Sequence, residues 1–152
     1  EIASCLVGSE MCIRDSATKA YSAVDLSTKT QDRRPEELIV LLFDKACSCL
    51  RRASMLPVAT LDDLELNERL ALLEDFHKST SKAMQIVVAL REMLDMNAGG
   101  EVSQQLADTY TAISKSIWAA TKAKNTADLA KLFEALAELR SGWEIVANSH
   151  RG

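Results

Sequence analysis

Two prolines and five glycines in 152 residues leave too little turn material for a chain of hairpins, which argues against an all-β fold. No uninterrupted apolar run approaches the ~20 residues that a membrane-spanning helix needs. A net charge of -4 provides no pull toward nucleic acid or an anionic lipid surface. Histidine is scarce, with only His77 and His150. Glu74-Asp75-Phe76-His77 supplies one Glu-x-x-His, but His150 has no glutamate three residues before it, so half of a di-metal site is missing. A haem held by His77 with Met84 or Met93 has no attachment motif to support it, and methionines at helical spacing read as core filler. Nucleophile elbow, phosphate loop and close acid–base pair are missing as well. Asp62-Asp63 reads as part of a solvated loop. The sequence therefore predicts a non-enzyme without metal or cofactor.

The four cysteines are Cys5, Cys12, Cys47 and Cys49. Side chains two apart on a helix diverge by about 200°, so Cys47 and Cys49 suit neither a disulfide nor a shared metal. Buried free thiols in a reducing cytoplasm are the expectation.

What the chain does contain is helical periodicity. A hydrophobic share of 47% and a charged share of 26% fit one globular domain with its own core. The stretch from Leu94 to Val102 interrupts that periodicity. Gly99 is expected to end a helix in the left-handed conformation, Gly100 to let the chain reverse, and Glu101 to open the next helix. A short link of this kind packs its two helices side by side and antiparallel.

Residues 1 to 16 stand apart: they lack an initiator Met, a basic start and a long apolar core. They read as a non-native or disordered leader, similar to adaptor read-through. Residues 17 to 34 form a polar arm in which Tyr21, Val24 and Leu26 are the sizeable apolar groups. Pro35 suits a first helical position and opens a helix to about residue 53, followed by a loop over 54 to 66. The second helix is placed at about 67 to 96, with Leu73, Phe76, Thr80, Ala83, Val87, Leu90 and Leu94 at three-four spacing. A third, about 101 to 124, lines up Val102, Leu106, Tyr110, Ile113, Ile117 and Ala120. The fourth, about 126 to 148 with Thr126 as N-cap, lines up Leu129, Leu132, Leu136, Leu139, Trp143 and Val146. Four long helices with short links predict an all-α, antiparallel up-down-up-down four-helix bundle carrying an N-terminal arm. Trp118, outside the seam of the third helix, and Ile86 and Met93, as a second stripe on the second, either anchor a partner or complete the core.

Three stretches carry a family resemblance. Lys19-Ala20-Tyr21 comes before the run from Pro35 to Asp44; Leu94-Asp95 precedes Gly99-Gly100-Glu101-Val102, Leu106 and Tyr110; and Leu139-Arg140 precedes Trp143. In this order and spacing, over about 17 to 146, the chain resembles the FliS family of flagellar secretion chaperones. It departs from the family pattern at Lys45, at Lys115-Ser116 and at Thr121. The resemblance implies a protein of the bacterial cytosol that binds the C-terminal region of flagellin and prevents its polymerisation before export. It also implies contact with other flagellar regulatory or export proteins, and neither nucleic acid nor membrane insertion. The candidate client-binding residues are Tyr21, Ile86, Met93, Tyr110, Ile117 and Trp118. A generic helical adaptor with a different client is the alternative, since it would have the same fold.

Overall fold

Pro35 begins helix α1 (Pro35–Met55), where its missing N–H would have gone unpaired in any case. The Arg34 N–H just before it donates to Glu37 Oε2 at 3.4 Å, which supplies an acceptor for a donor the helix leaves free. The computed structural model describes residues 34–149. The leader, the arm up to residue 33 with Tyr21, and His150 lie outside the described residues.

After α1 the chain passes Pro57 and a short 3-10 segment (Val58–Asp63). The Arg69 guanidinium holds that segment by donating to the carbonyls of Leu61 at 3.0 Å and Leu64 at 3.3 Å. Helices α2 (Leu66–Glu92), α3 (Gly100–Ala123) and α4 (Thr126–Ser149) follow, with no strand among the described residues. The predicted all-α bundle is what the chain builds. Arg34, at the start of α1, donates to the Ala147 carbonyl near the end of α4 at 3.0 Å. Arg52, late in α1, grips Asp75, early in α2, with a two-pronged fork of 2.8 and 2.7 Å. These cross-links run α1 antiparallel to both neighbours. Helix α1 packs heavily on α4 and α2, whereas α3 and α4 meet only sparingly. That double contact accounts for the wide apolar face of α1, in which Leu38, Leu42, Phe43, Ala46 and Leu50 are all buried.

Three local expectations are corrected. Gly99 is right-handed (φ -80°), and it is Gly100 that takes the left-handed value (φ +57°). Helix α2 ends at Glu92 rather than near Met96, because Asp95 diverts the backbone: its carboxylate accepts the N–H groups of Asn97 at 3.1 Å and Ala98 at 2.9 Å. The cap of α4 is Asn125 and not Thr126, since the Asn125 side-chain oxygen accepts the Asp128 N–H at 3.1 Å. Cys47 and Cys49 are buried free thiols, as expected.

Candidate functional site

Where α3 and α4 diverge, they leave an open groove of about 700 Å³. Leu106, Thr109, Ala112 and Ile113 line it from α3; Ala135, Glu138, Leu139, Gly142, Trp143 and Val146 line it from α4. Apart from Glu138 no charged side chain lines it, so its chemistry is that of an apolar slot with one acidic edge. Such a slot can bury the apolar face of an amphipathic helix.

The inner end of the slot is fixed by Tyr110 and Trp143. The Trp143 indole N–H donates to the Tyr110 hydroxyl at 3.0 Å in a buried setting. The Tyr110 ring also meets Phe43 of α1 with centroids 6.2 Å apart and planes at 59°, which ties three helices together. Burial pushes the Tyr110 phenol up to about 12, against a small opposing effect of the Trp143 hydrogen bond. Tyr110 is thus a neutral acceptor that locks Trp143 in place as a groove wall.

A smaller pocket of about 330 Å³ lies on the other side of α3, against α2, lined by His77, Thr80, Ser81, Met84, Ile117, Trp118, Thr121 and Lys122. The Trp118 indole is 55% exposed, and the Lys122 ammonium sits 4.2 Å above its ring. Among the described residues no group of three His, Cys, Asp or Glu side chains could hold a metal ion, and no helix is long and apolar enough to cross a membrane.

Of the five described candidate client-binding residues, Ile117 and Trp118 meet at the smaller pocket, and none of the five is among the residues lining the groove. Tyr21 lies outside the described residues. Ile86, Met93, Tyr110 and Ile117 are buried in the core. The stripe of Ile86 and Met93 was expected outside the main seam, but both side chains are buried in the hydrophobic core, Met93 at the C-cap of α2. Trp118 alone of the five described is exposed, which decides for it between the two readings, surface or core, that the sequence left open. Sequence periodicity counts Leu106, Ile113, Leu139, Trp143 and Val146 as seam, and so misses that they wall a groove. The one signal available was Gly142, a glycine in the interior of a helical pattern.

The sequence model of the family described as "Flagellar protein FliS" matches residues 17–150. The chain is 26% identical over 132 residues to the flagellar secretion chaperone FliSB of Pseudomonas aeruginosa, covering 87% of this chain and 96% of that protein. It is also 26% identical over 133 residues to the flagellar secretion chaperone FliS of Salmonella typhimurium, covering 87% of this chain and 90% of the relative.

Proposed function

The chain belongs to the FliS family of flagellar proteins, and from that premise we propose that it is an export chaperone for flagellin. In this reading it binds the amphipathic C-terminal segment of flagellin in the cytosol and covers the apolar face by which flagellin would polymerise. The observation that carries the proposal is the open apolar groove between α3 and α4. A segment that orders only on binding gives up about 2–5 kcal/mol. Each leucine-sized anchor seated returns roughly 1.5–3 kcal/mol, so about three offset that ordering cost, and further apolar burial along the groove must offset the lost translational and rotational freedom. No nucleotide is required, because burial itself drives the association.

Trp118 is proposed as a second, peripheral contact, beyond the groove on the α2 side of α3. Tyr21 belongs to the arm and is proposed to meet either the groove or the client. Ile86, Met93, Tyr110 and Ile117 are proposed to act from the core, by holding the surfaces that the client touches.

Calorimetric titration of the full chain with a flagellin C-terminal peptide tests the reading. A scrambled peptide of the same composition, with its apolar periodicity destroyed, is the control. Binding of the first peptide alone, with a negative heat-capacity change, is expected. No binding, or equal binding of both, would refute it and leave the adaptor for a different client as the surviving alternative.

A further inference from the structure

Gly142 lies well inside α4, on the groove wall, between Leu139 and Val146 on the same face. Its backbone does not need a glycine: among the described glycines only Gly100 has a positive φ. Packing does not need one either, because a Cβ built on Gly142 meets nothing within 4 Å. Glycine is nevertheless the poorest helix former after proline, since it orders more backbone and covers less of it than alanine. Gly99, by contrast, has its reason inside the molecule, in the close approach of Asp95 and Ser103. The chain therefore keeps a destabilising residue in a place where only the groove borders it.

Resting on the chaperone reading, we propose that Gly142 is a specificity-determining position of the groove. The missing side chain makes a notch that receives one large apolar side chain of the docked client helix. Leu139 and Val146 form the two ends of the hole, Gly142 its floor, and Leu106, Thr109 and Ile113 the opposite wall. A knob seats deepest in a hole whose floor carries no Cβ, and the two helix axes then come closest. Glu138 at the rim sets the neighbouring chemistry: it favours a Lys or Arg on the client beside the knob. The occupant is thus an amphipathic helix with a leucine- to phenylalanine-sized residue next to a cation.

Two variants of the full chain, Gly142→Ala and Gly142→Leu, separate this from a structural role. Gly142→Ala is expected to raise the melting temperature by a few degrees and yet to weaken binding of the flagellin C-terminal peptide roughly tenfold. Gly142→Leu, which fills the notch outright, is expected to weaken binding on the order of a hundredfold with the helical circular dichroism retained. Trimming the large apolar residues of the peptide to alanine, one at a time, then identifies the knob. At that one position the loss and the Gly142→Ala loss should fail to add. Wild-type affinity in both variants, or strictly additive losses at every peptide position, overturns the notch while the chaperone reading stands. A Gly142→Ala variant that melts lower than the wild type also overturns it, because the space is then needed by the fold. A wild-type chain that does not bind the peptide sinks the chaperone reading, and the notch with it.

Discussion

Gly99 and Gly100 are neighbours, yet alanine should damage the chain by different routes at each. At Gly100 (φ +57°) a Cβ would meet nothing within 4 Å, so the cost is conformational alone, roughly 1–2 kcal/mol. At Gly99 the backbone (φ -80°, ψ -15°) suits alanine, and the cost is steric. The new Cβ would fall inside the contact radius of Ser103 Oγ and only 2.8 Å from the Asp95 carbonyl oxygen. That carbonyl is doubly committed: it accepts the Gly99 N–H at 2.9 Å and the Ser103 hydroxyl at 2.9 Å. Making room swings the hydroxyl of fully buried Ser103 off its acceptor, at about 1–3 kcal/mol. Overpacking against the carbonyl adds about 1–3 kcal/mol. Gly99→Ala should therefore cost about 2–6 kcal/mol and exceed Gly100→Ala. Urea unfolding followed by circular dichroism measures both. Ser103→Ala alone loses one hydrogen bond, about 1 kcal/mol, but combined with Gly99→Ala it removes the nearest clashing atom. The double mutant should then lose less than the sum of the single losses, by on the order of 1 kcal/mol. A Gly99→Ala midpoint at or above that of Gly100→Ala, or strict additivity with Ser103→Ala, would refute the steric account.

Tyr110→Phe keeps the ring against Phe43 but removes the acceptor of the Trp143 N–H, and should cost about 1–3 kcal/mol in urea unfolding; an unchanged midpoint would mean that the indole finds another partner. The alkaline limb of stability should carry the mark of Cys47. Burial first, then the Asp44 carboxylate, raise its thiol from 9.0 to about 11. A raised folded value favours the protonated fold, so this contribution is complete below pH 9 and is lost as pH rises toward 11. Cys47→Ala should flatten the fall of the unfolding midpoint over that window, and superimposable pH profiles of the two proteins would contradict it. Tyr110, raised to about 12, extends the same decline above pH 10 in both proteins.

The fold was legible because the three-four spacing of Phe76, Ala83, Val87 and Leu90, and of its counterparts on α3 and α4, is a local property of the chain. So was the hairpin between α2 and α3, although its chemistry was assigned to the wrong glycine. Which of two adjacent glycines turns left-handed depends on where Asp95 and Ser103 lie, and Ser103 is brought back to Asp95 only by the next helix. The exposure of Trp118 was only half legible: a place outside the Tyr110, Ile113 and Ile117 stripe left both surface and core open, and Ile86 and Met93, placed outside their own seam, are buried.

The candidate site was hardly legible, and the reason is geometric. A residue that walls a groove and one that fills a core both carry the same helical period. Ile113 and Ile117 are four apart on one stripe; the first borders the groove toward α4, the second the pocket toward α2. What separates core from groove is the distance to the facing helix, and that is set by the whole bundle. Helix α1 draws α2 and α4 onto itself, through Arg52–Asp75 and Arg140–Asp44 as well as through its apolar faces. With α4 packed on α1, and α3 packed more extensively on α2 than on α4, the α3–α4 edge is left as the open one. The groove is therefore a consequence of where α1 spends its contacts, and no local window of sequence contains that. Gly142 is the exception, because its anomaly is local: a helix interior that carries glycine where its own fold would accept alanine points to something outside the chain.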